Sequence, residues 1–176
     1  MLTPYDEFPI HQHSRPFSEI PVTDLSWDDG YFFGVYSTVH RVVLFTGLRV
    51  TPNNDVVGAY AGINLAGRQR TLRLSRRWRP DFGVGIGPLQ YRFVEAFKEI
   101  SLALAPNPSG LEFDIHWHAL APPYLEPHHV AYRHQRRTTD QTRYVQGGTA
   151  EGWIELDGDR FEVKRNEWWG DRDHSW

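Results

Sequence analysis

The chain has 176 residues, of which 40% are hydrophobic and 23% are charged, and its formal net charge is −3. This length suits one domain with a substantial core, and the small negative charge excludes strong long-range attraction to nucleic acid or acidic membranes. The absence of cysteine excludes disulfides, thiolate chemistry and Cys-ligated zinc. Aromatic residues reach 14%, a surplus that favours an apolar pocket.

The N-terminal seven residues lack the basic and apolar segments of a secretory signal. No apolar run reaches the length needed to span a bilayer. Basic residues cluster only in two short runs, at 76–79 and 133–137, which are more typical of solvated loops. We therefore predict a cytoplasmic protein with no membrane span and no nucleic-acid partner.

Residues 1–26 are predicted to form an irregular arm that lies across the domain. Prolines recur in this segment, and each one interrupts a helix because it lacks a backbone N–H and fixes its own φ angle. The prolines concerned are Pro4, Pro9, Pro16 and Pro21.

From residue 27 onward the pattern is that of β-strands, with β-branched and aromatic residues separated by turn residues. The predicted strands cover 31–35, 41–50, 56–65, 69–75, 89–97, 99–104, 111–119, 142–146, 152–156 and 160–164. Residues 93–104 have an alternative interpretation as one short helix, and 76–87 and 121–140 are predicted to be loops. Many short strands with almost no helix predict an all-β domain, either an antiparallel barrel or a sandwich.

The strand predicted at 111–119 has one apolar face and one polar face. The polar face carries Asp114, His116 and His118. Histidines two positions apart on a strand point to the same side, at a spacing that zinc or iron can bridge. A metal-dependent enzyme built on this Asp-x-His-x-His strand is therefore an alternative, whereas the main interpretation includes no metal and no cofactor.

Groups capable of chemistry concentrate in the last eleven residues. Asp173 can act as an acid or a base, His174 titrates near neutral pH, and Arg172 can orient a carboxylate or hold an anion. The same segment contains Trp168, Trp169 and Trp176. Because disordered tails are normally poor in aromatic residues, this run is predicted to pack against the domain.

The sequence Arg-Asp-His-Ser-Trp at 172–176, which follows a Gly-rich hairpin pattern, resembles the motif that closes the N-terminal domain of the AttH-like, carotenoid 1,2-hydratase-like superfamily. Further similarity lies at 29–33, 87–89, 111–117 and 146–152, so the resemblance covers most of the chain from about Trp27. Members of that superfamily pair two lipocalin-like β-domains, and the motif continues there into a second domain. The resemblance therefore implies that 27–176 is a lipocalin-like domain. It is expected to be the first half of a two-domain protein, or a one-domain relative that pairs with a second copy.

The resemblance also implies a function: a hydratase, cyclase or isomerase that acts on a hydrophobic, terpenoid-like or lipid-like substrate without a redox cofactor. Asp173 would donate the proton, His174 would orient it or take the proton back, and Arg172 would fix the geometry. Aromatic faces would stabilise a developing carbocation. The expected ligand-binding residues are Trp117, Tyr144, Gln146, Trp168, Trp169 and Trp176.

The alternative from a different functional class is a non-catalytic lipocalin-like domain that binds a small hydrophobic ligand. In that case the Arg-Asp-His-Ser run is a structural clasp, in which Asp173 pairs with Arg172 or a more distant arginine and Ser175 caps a turn.

Overall fold

The computed structural model describes residues 1–11, 20, 22–79 and 83–176. Its secondary structure consists of strands and two short 3-10 helices, Pro4–Glu7 and Pro52–Asn54, and no α-helix occurs in the described ranges. The strands are β1 (Asp29–Ser37), β2 (Val42–Thr51), β3 (Val56–Leu65), β4 (Arg68–Arg77), β5 (Gly85–Ile86), β6 (Leu89–Glu95), β7 (Glu99–Leu104), β8 (Leu111–Ala119), β9 (Tyr124–Leu125), β10 (His129–Arg133), β11 (Arg136–Gln141), β12 (Arg143–Leu156), β13 (Asp159–Val163) and β14 (Trp169–Ser175). The all-β prediction is confirmed.

One large antiparallel sheet runs in the order β4-β3-β2-β1-β14-β12-β8-β7-β6-β5, and β9 and β13 add to β12. The two ends of the sheet approach each other, because Arg76 Nε of β4 donates to the carbonyl of Gly85 in β5 at 3.3 Å. Across the interior, Thr46 Oγ1 of β2 lies 2.5 Å from the Tyr91 hydroxyl of β6. The sheet is thus nearly closed into a lipocalin-like barrel.

Alternation along the strands sends every second side chain into the barrel. On β8, Phe113, Ile115 and Trp117 are buried while Asp114 is exposed, as the sequence predicted. The same period on β7 buries Ile100, Leu102 and Leu104. The core therefore lies inside the barrel, and a side chain's position on its strand decides whether it belongs to the interior.

The prediction of a loop over 121–140 was wrong, because this segment contains β9 and the separate hairpin β10–β11. The hairpin turns at His134 and Gln135, which both have positive φ. That turn geometry is usually built from Asn-Gly or Asp-Gly, and both strands are largely exposed, so neither turn residues nor apolar alternation marked the hairpin.

The loop predicted at 76–87 is also wrong in part, because it contains the end of β4 and strand β5. Three other assignments differ from the prediction as well. The helix considered for 93–104 is wrong, since β6 and β7 form a hairpin there with Phe97 at φ 60°. The strands predicted at 142–146 and 152–156 are one strand, β12, which continues through Gly152 at φ 128°. The terminal tryptophan-rich run is a strand as well, β14, inserted between β1 and β12.

Neither of the helices in the described residues has the length and apolar character needed to cross a membrane.

Candidate functional site

The strand β14 separates the residues of the C-terminal motif onto two faces. Arg172 and His174 point into the barrel and are almost completely buried. Asp173 lies between them in sequence and therefore points outward, where partial burial raises the pKa of its carboxyl although Arg143 and Arg49 lower it. The structure thus brings Arg172 and His174 together inside the barrel and leaves Asp173 outside.

Inside the barrel, Arg172 forms a bidentate ion pair with Glu7 of the N-terminal arm. Arg172 Nη1 donates to Glu7 Oε2 at 2.7 Å and Nη2 donates to Oε1 at 2.8 Å. Both side chains are 0% exposed. Burial lowers the pKa of a guanidinium, but the hydrogen bonds to Glu7 and the charge of Glu7 raise the pKa of Arg172 above its ordinary value. The Arg172 guanidinium is therefore charged in the interior.

Two further donors complete the carboxylate's surroundings. The Tyr144 hydroxyl donates to Glu7 Oε2 at 2.8 Å, and the backbone N–H of Phe97 donates to Oε1 at 2.6 Å. Burial raises the pKa of Tyr144 well above its usual range, so the hydroxyl remains protonated and able to donate. Glu7 thus accepts four hydrogen bonds, which is why a charge can be buried at this position.

Gln146 holds the other edge of the guanidinium. Its Oε1 accepts from Arg172 Nε at 2.9 Å and from Arg172 Nη2 at 2.8 Å. Its amide nitrogen in turn donates to the carbonyls of Phe97 at 2.8 Å and Ala121 at 2.7 Å. The orientation of Arg172 is consequently fixed by strand β12 and by two loops.

The second buried pair consists of His174 and Asp29, which lies at the start of β1. His174 Nε2 is 2.6 Å from Asp29 Oδ1, and Nδ1 is 2.7 Å from the carbonyl oxygen of Asp6. Since both nitrogens face acceptors, this arrangement fits an imidazolium that donates twice. Burial raises the pKa of a carboxyl, but the charge and hydrogen bond of His174 outweigh it and hold the pKa of Asp29 below its ordinary value.

Aromatic rings surround His174. Tyr31 stacks on it with a centroid distance of 4.2 Å, while Trp176 and Tyr144 meet it edge-on at 5.1 and 5.6 Å. The His11 ring lies 5.6 Å away. The imidazole thus sits in an aromatic chamber, with its two nitrogens directed at oxygen atoms.

The N-terminal arm fills the space between these pairs. The Tyr31 hydroxyl donates to the carbonyl of Glu7 at 2.8 Å, and the N–H of Ile10 donates to Asp29 Oδ2 at 3.1 Å. Pro9 and Ile10 are buried, and the Phe8 ring packs on Phe93 at 6.0 Å. The arm was predicted to lie across the domain, and its described first part in fact enters the barrel.

The predicted ligand-binding residues fall into three groups. Four of them are buried inside the barrel, namely Trp117, Tyr144, Gln146 and Trp168. Trp176 is partly buried beside His174. Trp169 is 47% exposed on the outer face, away from the interior cluster.

The polar face of β8 has the geometry that its sequence predicted, with the His116 and His118 rings 6.4 Å apart. Each ring has a carboxylate partner: His116 Nδ1 lies 3.2 Å from Glu99, and His118 Nε2 lies 2.9 Å from Glu151. These pairs account for both histidines on a partly exposed surface. Metal binding by Asp114, His116 and His118 stays a prediction, and metal analysis after dialysis is the measurement that tests it.

Among the described residues, the group whose donor atoms all lie within 4.8 Å of one another is His11, Asp29 and His174. Both nitrogens of His174 and both oxygens of Asp29 are already hydrogen-bonded to protein groups. A cation at this position would have to displace those bonds.

Comparisons with known proteins identify the family and the fold of the chain. The profile of the family of unknown function DUF8625 matches residues 2–176. The chain belongs to DUF8625. No curated protein sequence matches it.

Two crystal structures resemble this DUF8625 member, and both show the fold alone because sequence identity is 10%. An AttH-like protein of Nitrosomonas europaea superposes with a TM-score of 0.68 over 85% of this chain and 51% of its own. Kievitone hydratase from Nectria haematococca gives a TM-score of 0.59 over 84% of this chain and 47% of its own. The chain thus has the AttH-like, lipocalin-like fold and spans about half the length of these two structures.

Sequence reasoning missed Glu7, Asp29 and Phe97 in the DUF8625 site. The signal for Glu7 was its setting, since a carboxylate is followed directly by the apolar run Phe8, Pro9 and Ile10. The hydrophobic effect favours burial of these apolar residues, and because Glu7 is adjacent to them, their burial places its carboxylate in the core as well.

A surface cavity of about 580 Å³ lies outside the aromatic chamber of the DUF8625 domain. Its walls come from the segment before β1, the hairpin β10–β11 and Trp176. Trp176 thus lines the cavity and also contacts the buried imidazole of His174.

The stability of the DUF8625 domain is expected to fall as pH drops from about 7.5 to about 5.5. Burial and the charge of His174 lower the pKa of His11, and they prevail over Asp29, Asp6 and the carbonyl of Phe8, which raise it. The unfolded state therefore binds the proton first, and the free energy of unfolding falls as His11 becomes protonated. Urea denaturation across this range measures the slope.

The control for this pH dependence is His11→Gln, which removes the titrating group and is expected to flatten the slope. An identical slope in the variant and the wild type would show that other groups cause the pH dependence.

Proposed function

We propose that this domain is the lipocalin-like part of a hydratase-like enzyme in which His174, held by Asp29, protonates a hydrophobic substrate. The observation that carries the proposal is the buried His174–Asp29 pair, which lies inside a ring of aromatic side chains. The likeness of the fold to kievitone hydratase supports the same class of chemistry.

The proposed reaction adds water across a carbon–carbon double bond. His174 transfers its Nδ1 proton to one alkene carbon, and the positive charge on the other carbon faces the rings of Tyr31, Tyr144 and Trp176. Water then attacks that carbon, and the proton it loses returns to the imidazole. Atoms and charge balance without a redox cofactor. Asp29 keeps the ring oriented and stabilises its charged form.

This proposal moves the proton donor from Asp173 to His174. Asp173 points to the outer face of the barrel, whereas His174 already has a proton directed at an oxygen in the interior. Asp6 contributes that oxygen from the arm, so a substrate has to displace the carbonyl of Asp6 to reach Nδ1. The cavity beside Trp176 is the proposed approach.

The substrate class is proposed to be terpenoid-like or lipid-like, because the chamber walls are aromatic. The whole enzyme is proposed to include a second lipocalin-like domain or a second copy of this one, since the match covers only 51% and 47% of the two structural neighbours.

The test is incubation of the full chain with kievitone, and separately with a carotenoid carrying a terminal double bond, in ¹⁸O-labelled water. We expect a product that is heavier by one labelled water molecule. His174→Gln is expected to slow its formation at least about 100-fold, because general acid catalysis contributes this much. Asp173→Asn is expected to retain the activity.

Loss of activity in Asp173→Asn with full activity in His174→Gln would return the role of proton donor to Asp173. If neither substrate takes up labelled water, the hydratase proposal fails. The non-catalytic alternative would then be favoured by the Glu7–Arg172 pair, which clasps the arm inside the barrel.

A further inference from the structure

The pocket around Arg172 has the form of a complete carboxylate receptor. Its four donor hydrogens come from Arg172, Tyr144 and the N–H of Phe97, and Gln146 holds the guanidinium in place. All of these groups belong to the barrel. The carboxylate alone comes from outside it, on an arm that precedes the first strand.

We propose that this pocket binds the carboxylate of an amphipathic carboxylic acid, and that Glu7 occupies it as a competitor built into the chain. A bidentate guanidinium with an added hydroxyl and an added N–H recognises the planar shape of a carboxylate as well as its charge. Neither feature depends on which molecule carries the carboxylate.

The residues that follow Glu7 indicate what is attached to the bound acid. Phe8 packs on Phe93, and Pro9 and Ile10 are buried, so the arm places an apolar body directly beside its carboxylate. A ligand that replaces the arm meets the same apolar walls. Its chemical class is therefore a carboxylic acid with a hydrocarbon or aromatic body, such as a medium-chain fatty acid.

The docked arm contains one residue with a strained backbone conformation. Ile10 has a φ of 58°, in the left-handed region that β-branched residues avoid. Its N–H is nevertheless held by Asp29. Displacement of the arm by a ligand would release this strain, and it would also uncover His174 Nδ1, which the carbonyl of Asp6 now covers.

This inference deepens the proposed function by naming the substrate class, and in that respect it rests on the proposed function. Its experiment measures binding without turnover. A failure of carboxylate binding can thus be distinguished from a failure of the His174 chemistry.

The experiment is isothermal titration of the full chain with octanoate, with octan-1-ol as the uncharged counterpart. Glu7→Gln removes the competing charge while keeping the side chain's length. It is expected to bind octanoate at least about 10-fold more tightly than the wild type, a difference well within the range that one charged partner controls. Octan-1-ol is expected to show no such gain.

Two further variants make the result specific. Glu7→Gln combined with Arg172→Met is expected to lose octanoate binding. Glu126→Gln, which removes the carboxylate from the surface pair of Arg143 and Glu126, is expected to bind like the wild type. Equal affinity of the wild type and Glu7→Gln, or binding that survives Arg172→Met, would overturn the proposal.

If Glu7→Gln does not fold, amide hydrogen exchange on the wild type tests whether a carboxylate ligand displaces the arm. The N–H groups of Phe8 and Ile10 are hydrogen-bonded in the docked arm, to the Tyr5 carbonyl and to Asp29. Excess octanoate is expected to accelerate their exchange, whereas octan-1-ol is not. Unchanged exchange in octanoate would contradict a competition between the ligand and the arm.

Discussion

In urea denaturation, Arg172→Met is expected to lower the free energy of unfolding by about 3–5 kcal/mol. The substitution keeps much of the apolar volume but leaves the Glu7 carboxylate at 0% exposure without its charged partner. Removing one member of a buried ion pair is costly because the remaining charge has lost its water and its counter-ion together.

The double variant Glu7→Leu with Arg172→Met separates this explanation from a simple packing defect. It removes both charges and is expected to recover most of the loss. The partly exposed pair of Arg143 and Glu126 is the surface control, and Arg143→Met is expected to cost about 1 kcal/mol or less. An equal loss in the single and the double variant would show that packing, and not the buried charge, sets the cost.

Gly152→Ala is expected to destabilise the domain by about 3–5 kcal/mol in the same measurement. Gly152 has a φ of 128°, which side chains rarely adopt, and a Cβ at this position would lie 2.0 Å from the carbonyl oxygen of Asp114. Both atoms of that clash are held in the sheet, since β12 pairs with β8 at this point. Relief therefore requires the two strands to separate.

The matched control is Gly147→Ala on the same strand. No atom lies within 4 Å of a Cβ built there, so a loss under about 1 kcal/mol is expected. A comparable loss in both variants would attribute the effect to alanine in β12 generally, and not to the bend at Gly152.

The local sequence pattern was sufficient to predict the bounds of two central strands, β3 and β8. The predicted bounds of β3 and β8 agree with those in the structure, because clear turn residues flank both strands. Apolar residues alternate with polar ones along β8 and make up most of β3. The apolar face of β8 could be predicted down to Trp117, whose burial follows from the period of two. Such features depend only on residues that are close together in the sequence, so the sequence alone is enough to predict them.

The candidate site depends on contacts that are distant in sequence. Glu7 and Arg172 are 165 positions apart, and His174 and Asp29 are 145 apart. The local sequence around either partner does not identify the other, because the pairing depends on the register of β14 against β1 and on the docking of the arm. The sequence therefore predicted that Arg172 holds a carboxylate or anion, but not which carboxylate it holds.

One error in the predicted site could have been avoided. The run at 166–176 was predicted to be packed, but it was not predicted to be a strand. In a strand, the period of two places Asp173 on the face opposite to Arg172 and His174. The Gly-Asp-Arg-Asp-His-Ser sequence has no apolar alternation, because its inward residues are Gly170, Arg172 and His174, and that composition concealed the strand.

Glu7 and Arg172 belong to one polypeptide, so their association is independent of dilution. A tethered group competes at an effective concentration set by its linkage, in the millimolar range for short tethers. In the proposed competition, a free acid entering the Arg172 pocket has to exceed this threshold through its abundance or its intrinsic affinity. The covalent attachment of Glu7 to the domain would consequently set the concentration of acid to which the domain responds.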